Sequence, residues 1–334
     1  MNSGDAMKDL LGRCVLTAGC LLGLNGSVQV ANGEIKQEGT LSGDRWIAPD
    51  GANFPFTVWM PENKAGLEAV FVAVHGLSGA ADDFRPLGNF FRRRGVAVYA
   101  SELRGQGNDP EQRRRGDIRS VEWWYRDLDA FVGHVRRAHP EVPVFLFGES
   151  MGALIVLHGL DDMEEGNVAA VAGIVFSSPV VGYRERVPLF VRLLVNVVGT
   201  IVPRWKVSFE ALAGDEGAAA VKVTSDTTHS GQMAKTDHYV SHFTLRLLRA
   251  VDRLVRSAAG AAKKLEHPVF LIHAGNDVFT STEQVEQFYE GIPSRDKAKF
   301  FSRESFHLIL HDKDGENALA ALERWMGGRM PARK

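Results

Sequence analysis

Two cysteines in 334 residues, Cys14 and Cys20, both precede the first strand-like segment. A disulfide framework, a thiolate zinc site and a cysteine nucleophile are therefore excluded from the main body of the chain. Excess charge is lacking too. Lys and Arg number 39 against 41 Asp and Glu, a net charge of −2, which argues against a nucleic-acid footprint. The basic clusters Arg92-Arg93-Arg94 and Arg113-Arg114-Arg115 read as a solvated helix end and a polar loop. No internal repeat is visible. What is present is an ordinary soluble composition, 45% hydrophobic and 24% charged, enough for one large α/β domain or two smaller ones.

The first 31 residues stand apart. Lys8 and Arg13 precede an apolar stretch from Cys14 to Leu24, followed by small and polar residues to Ala31. This has the outline of a secretory signal, and Thr17-Ala18-Gly19-Cys20 resembles a lipoprotein cleavage box. Asp5 and Asp9 dilute the positive region, so export or membrane tethering stands beside an uncleaved cytoplasmic extension. The stretch is too short to span a bilayer comfortably.

Beyond the leader, Trp46 to Ala48 and Phe54 to Trp59 flank Pro49-Asp50-Gly51-Ala52-Asn53, the pattern of a hairpin. Leu67 to Val74 is a continuous apolar run, hence a strand buried on both faces. A helix to about Arg94, the strand Val96 to Ala100, and a helix from about Val121 to His139 follow. Further strands are expected at Val144–Phe147, Val168–Phe176, His267–His273 and Lys297–Ser302, with a last helix at about Glu316–Met326. Alternating strands and helices with buried strands predict an α/β fold, a mostly parallel central sheet with helices on both faces. The alternation breaks between Val180 and Lys264, where some 85 residues separate two strands expected to be neighbours. The chain is therefore divided into a core at 40–179, an inserted cap at 180–264, and a second part of the core at 265–328. Within the insertion, the apolar run Val187 to Val202 reads either as a helix packed on the core or as a lid. Such a lid would cover a substrate pocket or rest on a lipid surface.

Gly148-Glu149-Ser150-Met151-Gly152 follows directly on Val144-Phe145-Leu146-Phe147 and leads into Ala153-Leu154-Ile155-Val156-Leu157. A buried strand running into G-x-S-x-G and then a helix is the nucleophile elbow, which lifts a serine hydroxyl clear of the sheet. Serine is a weak nucleophile at its free pKa and needs a base, itself oriented by an acid, in the order Ser, Asp or Glu, His. Of eleven histidines, His75 precedes the elbow, His134, His139 and His158 fall on helices, and His229, His238 and His242 lie in the insertion. His307, just after the last strand, is the expected base, with His311 as its rival. Asp277 in Ala274-Gly275-Asn276-Asp277 is the expected acid, against a reading as a turn aspartate. The oxyanion needs backbone N–H donors: Met151 after the nucleophile, and Leu77 in His75-Gly76-Leu77-Ser78-Gly79. His75 is expected to shape that loop without transferring protons.

These blocks carry a resemblance. Phe71-Val72-Ala73-Val74-His75-Gly76-Leu77, the stretch Gly95 to Gly107 containing Glu102-Leu103-Arg104-Gly105-Gln106-Gly107, and Gly148 to Gly152 are similar to the monoacylglycerol lipase and lysophospholipase branch of the α/β-hydrolases. Serine aminopeptidase-type hydrolases share much of this pattern. Tyr125-Arg126-Asp127-Leu128, Ser177-Ser178-Pro179 and His267-Pro268-Val269 fit as well, so the likeness runs from about Trp46 to Trp325. It implies an α/β-hydrolase fold, Ser150, Asp277 and His307 as nucleophile, acid and base, and the Leu77 and Met151 amides as oxyanion hole. It also implies that the insertion caps an acyl-chain tunnel. The chain departs from the family at Glu102, where Asp is common, at Gln106, where His is common, and at Ala153, where Gly is common.

The expected function is a serine esterase without metal or cofactor, acting on a small-molecule acyl ester such as monoacylglycerol or lysophospholipid. The cap is its expected contact with a lipid surface, and no nucleic-acid partner is expected. A serine peptidase that trims amino termini is the alternative, and it would need an acidic anchor such as Glu210 or Asp237. A non-catalytic binding module is the third reading, opposed by three intact groups in the right order. A haloalkane-type hydrolase would need Asp at position 150.

Overall fold

Side chains alternate between two apolar layers along each central strand. Val70, Val72, Val74 and Leu146 join one buried cluster, while Ala69, Phe71, Ala73, Phe145 and Phe147 join another. Both faces of the sheet are thereby covered, as the unbroken apolar runs predict. The computed structural model describes residues 41–63, 66–184, 196–208, 222–226 and 236–330. The leader at 1–31, the first part of the apolar run (187–195), His229 and Glu210 lie outside the described residues.

In chain order the elements are β1 (Leu41–Ser42), β2 (Arg45–Ile47), β3 (Asn53–Trp59), β4 (Ala69–Val74), α1 (Arg85–Arg92), β5 (Val96–Ser101), α2 (Glu122–Ala138), β6 (Val144–Glu149) and α3 (Met151–Gly159). They continue with α4 (Glu165–Ala169), β7 (Val171–Ser177), β8 (Lys206–Ser208), β9 (His242–Thr244), α5 (Leu245–Ala262), β10 (Val269–Ala274), α6 (Thr282–Gly291), β11 (Lys297–Ser302) and α7 (Gly315–Gly327). The main sheet runs β1-β2-β3-β5-β4-β6-β7-β10-β11. Pairing is antiparallel as far as β3–β5 and parallel from there on. This is the α/β-hydrolase architecture expected from the sequence.

One helical layer sets Trp124, Leu128 and Phe131 of α2, Leu154 of α3, Leu247 and Leu254 of α5, and Phe288 of α6 against the sheet. The other sets Leu87 and Phe91 of α1 and Leu319, Leu322 and Trp325 of α7 against its opposite face. Phe71 meets Phe91, Phe145 and Phe147 at ring-centroid distances of 5.1, 5.8 and 6.1 Å. Burying one such ring stabilises the fold by about 1.5–3 kcal/mol.

Three local readings change. The strand expected from Val168 begins at Val171, because residues 165–169 form α4. There the Asn167 side chain donates to Asp129 Oδ1 at 2.7 Å and fixes the turn. Arg94 is docked, at 3.0 Å from Glu323 and with its guanidinium 3.6 Å from the Phe90 ring. Arg114 and Arg115 are also engaged, the first on Asp109 and the second on the Asp237 carbonyl. The stretch read as an insertion, 180–264, ends in a core helix: Leu247, Leu254, Val255, Ala258 and Ala262 of α5 lie in the same cluster as α2 and α3. No helix among the described residues is long and apolar enough to cross a membrane.

Candidate active site

Four loops converge at the carboxyl edge of the sheet, after β4, β6, β10 and β11. The loop after β6 is the elbow. Ser150 stands between β6 and α3 with φ +56° and ψ −118°, a left-handed conformation that costs a non-glycine residue on the order of 1–3 kcal/mol. Its N–H donates to the Ser177 carbonyl at 2.9 Å, which ties the turn to the neighbouring strand. Glycine is required on both sides of the close approach. A Cβ on Gly152 would lie 2.0 Å from the Val74 carbonyl oxygen, and one on Gly76 would lie 2.9 Å from Ser150 Cβ.

The expected acid and base meet the serine. His307 Nε2 lies 2.9 Å from Ser150 Oγ, and His307 Nδ1 lies 2.8 Å from Asp277 Oδ2. A carboxylate only accepts, so Nδ1 carries the proton and Nε2 is left to accept from the serine hydroxyl. Asp277 and His307 are both buried. Burial alone would raise the Asp277 carboxyl. The His307 ring, by charge and hydrogen bond, and the Phe279 and Thr280 amides outweigh that and hold it below the usual carboxylate range. The Phe279 ring stands edge-on to His307 at 4.6 Å and walls the imidazole. The two loops are also joined through their backbones, Gly275 N–H to Ser302 O at 2.8 Å and Asn276 N–H to Ser305 O at 3.0 Å. His311, the rival base, instead places Nε2 2.7 Å from the Asp83 carbonyl.

The loop after β4 carries the other expected donor. His75 is fully buried; its Nε2 accepts the Leu103 N–H at 3.0 Å, so Nδ1 donates to the Gly76 carbonyl at 2.9 Å. It shapes the loop, as expected. Glu102 does similar work, accepting the Ala81 N–H at 3.0 Å and the Asn108 N–H at 2.9 Å. Asp127 and Asp50 both grip Arg104, which holds the loop from the other side. Among the described residues, the Leu77 and Met151 amides have no acceptor within the chain.

Several residues at this site carry no signal in the sequence. Glu149, inside the elbow motif, is buried; burial, with the Asp83 charge adding to it, pushes its carboxyl up to about 8. Arg184 donates to the Asp277 carbonyl and, through its own amide, to Phe279 O at 2.8 Å. Residues 222–226 cross the base's loop: Leu308 N–H donates to Val223 O at 2.8 Å and Thr224 Oγ1 to His311 O at 2.7 Å. The contacts of Arg184 and of residues 222–226 are long-range pairings that no local pattern announces. Among the described residues no cluster of side chains could hold a metal ion.

Comparison with known proteins places the chain in a family. The family described as "Serine aminopeptidase, S33" matches residues 66–314. The chain belongs to this family. It is similar to the phospholipase YtpA of Bacillus subtilis, 26% identical over 254 residues that cover 76% of this chain and 93% of the relative. It is also similar to a monoacylglycerol lipase of Mycolicibacterium smegmatis, 22% identical over 83% of this chain and 93% of the relative. Among solved structures, a soluble variant of monoglyceride lipase from Saccharomyces cerevisiae superposes with a TM-score of 0.73. That match is 18% identical over 85% of this chain and 94% of the other. At this identity the structural likeness supports the fold.

Proposed function

We propose that this S33-family chain is a carboxylic ester hydrolase that forms an acyl-enzyme on Ser150. The reading rests above all on one observation, the unbroken hydrogen-bond relay Ser150 Oγ–His307–Asp277. In it, Ser150 Oγ attacks the ester carbonyl as its proton passes to His307 Nε2. The buried Asp277 carboxylate, kept ionised by its partners, holds the Nδ1–H tautomer and stabilises the imidazolium. The oxyanion is held by the Leu77 and Met151 N–H groups, the second at the N-terminus of α3. Collapse returns the proton to the departing alcohol and leaves the acyl group on Ser150. A water, deprotonated by His307, then releases the fatty acid and restores the serine.

The substrate class is a long-chain monoester with a polar headgroup, monoacylglycerol or lysophospholipid. The relatives' names support it. The described part of the intervening segment supports it too: Val197 and Ile201 lie one helical turn apart and are 49% and 70% exposed. Arg204 and Lys206 are exposed beside them, a combination suited to a lipid surface. Residues 180–244 are the cap in this reading, and α5 belongs to the core. Asp237, the anchor a peptidase would need, is exposed, and its backbone carbonyl accepts from Arg115.

The test is hydrolysis of p-nitrophenyl esters of graded chain length, monoacylglycerol, lysophosphatidylcholine and aminoacyl amides by wild type and Ser150→Ala. The expected outcome is ester cleavage that falls by more than about 10⁴-fold in the variant. A variant that keeps the wild-type rate, or preference for aminoacyl amides, overturns the proposal.

A further inference from the structure

The donor turn Gly76-Leu77-Ser78-Gly79 closes with a Gly79 N–H to Gly76 O bond of 3.2 Å, and its third residue, Ser78, has φ +60°. A turn of this kind favours glycine at that position, because other residues pay for φ above zero. Serine stands there instead, held by three hydrogen bonds. Its N–H donates to Gln106 Oε1 at 2.9 Å; its Oγ donates to Val240 O at 3.0 Å and accepts the Val240 N–H at 2.9 Å. Reversing the Leu77–Ser78 peptide would relieve the positive φ, and it would break the bond to Gln106.

Gln106 sits on a stiff support. It is fully buried, its N–H donates to Leu103 O and its carbonyl accepts the Asp109 N–H, each at 2.9 Å. Asp109 in turn is clamped by Arg114 at 2.7 Å. Among the described residues the Gln106 Nε2 has no partner, an arrangement that costs stability in a buried amide. An acceptor kept at such a cost points to a task for the acceptor oxygen.

We infer that Gln106 is a positioning residue for the oxyanion: Gln106 Oε1 holds the Ser78 N–H so that the turn presents the Leu77 N–H to Ser150. The Ser78 hydroxyl couples the same turn to Val240 in the intervening segment. This rests on the esterase reading, since it assigns Leu77 the oxyanion. Gln106 touches neither Ser150 nor substrate in this assignment, so it acts through the turn alone.

Pre-steady-state acylation by a p-nitrophenyl ester tests it in Gln106→Leu, Ser78→Gly and the double variant. Gln106→Leu is expected to keep the burst amplitude, because the triad is untouched, and KM within about twofold. Its acylation rate is expected to fall about 10–100-fold, less than outright removal of an oxyanion donor. Glycine takes φ +60° without strain, so Ser78→Gly in the Gln106→Leu background is expected to recover at least half of that loss on a logarithmic scale. A purely structural glutamine would show no such rescue. Should Gln106→Leu not fold, Gln106→Met fills the space without the acceptor and repeats the test. A wild-type burst with an unaltered Gln106→Leu rate, or a loss that Ser78→Gly does not relieve, overturns the role of Gln106 alone. Absence of any burst from wild type overturns the esterase reading itself.

Discussion

The sheet's carboxyl edge and the segment between β7 and α5 hold the same site by different means. At the edge, Ser150 follows β6 directly, Asp277 lies three residues beyond β10, and His307 lies five beyond β11. Parallel strands buried on both faces fix the origins of these loops, and short reach from a rigid strand fixes their ends. Among the described residues the intervening segment has no such anchor in the main sheet. It reaches the site by individual hydrogen bonds: Val240 to Ser78, Val223 to Leu308, Thr224 to His311 and Ser225 to Asp312. Its flank is pinned separately, by Arg246 and Thr244 on Asp117. The difference separates two tasks. In the proposed reaction the edge supplies the reacting groups, and the segment sets how steadily two of the loops present them.

The largest expected effects fall on the edge. Asp277→Asn keeps the volume but cannot hold the Nδ1–H tautomer of His307. It is expected to lower kcat about 10³–10⁴-fold with little change in KM, measured by steady-state ester hydrolysis. A drop of only tenfold would mean that the edge is not where the chemistry is held. Gly152→Ala comes next. Its methyl would lie 2.0 Å from the Val74 carbonyl, so strand or helix must shift. Urea denaturation is expected to show a loss of roughly 3 kcal/mol or more. Alanine tolerated there without cost would break the account of the elbow.

This contrast also explains what the sequence made legible. The elbow is a local event, strand to strained turn to helix in ten residues, so Ser150 and Met151 could be read directly. Asp277 and His307 followed from chain order, because each parallel strand must end at the same edge. Leu77 followed from the loop after β4. Gln106 could not be read as a support for Ser78, since a side-chain acceptor 28 residues away leaves no periodicity. Arg94, Arg114 and Arg115 were read as solvated because charge pattern says nothing of partners; Glu323, Asp109 and the Asp237 carbonyl supply them. The residues 165–169, apolar enough at Val168 to extend a strand, were captured by an asparagine bond that sequence does not display.

Glu149 sharpens the comparison from inside the edge. Its carboxyl ionises near 8 in the folded protein and near 4.5 as a free side chain, because burial, and secondarily Asp83, oppose its charge. Between those values the unfolded chain has lost the proton that the folded chain keeps, so stability must fall as pH rises through that window. Glu149→Gln removes this dependence. The variant's advantage in urea is expected to grow by roughly 3–4 kcal/mol between pH 5 and pH 8. A difference that stays flat with pH would show that the carboxyl is already ionised in the fold, and that the edge tolerates a charge beside its nucleophile.

The smallest expected effect decides whether the segment does more than cover the site. Ser225 donates to Asp312, whose other oxygen accepts the Phe306 N–H at 2.8 Å, next to the base. Burial raises the Asp312 carboxyl, but the Phe306 amide, Ser225 and the Lys313 amide outweigh it and hold it low, so it acts as a fixed acceptor. Ser225→Ala removes one part-exposed hydrogen bond, worth about 1 kcal/mol net, from the loop that carries His307. If the loop loosens by that much, kcat falls about fivefold while KM holds. Lys264→Ala is the control, because the Lys264–Asp161 pair has both side chains more than half exposed and is remote from these contacts. It should change neither value. Equal behaviour of the two variants would reduce the segment to a cover; a loss confined to Ser225→Ala makes it a working part of the base.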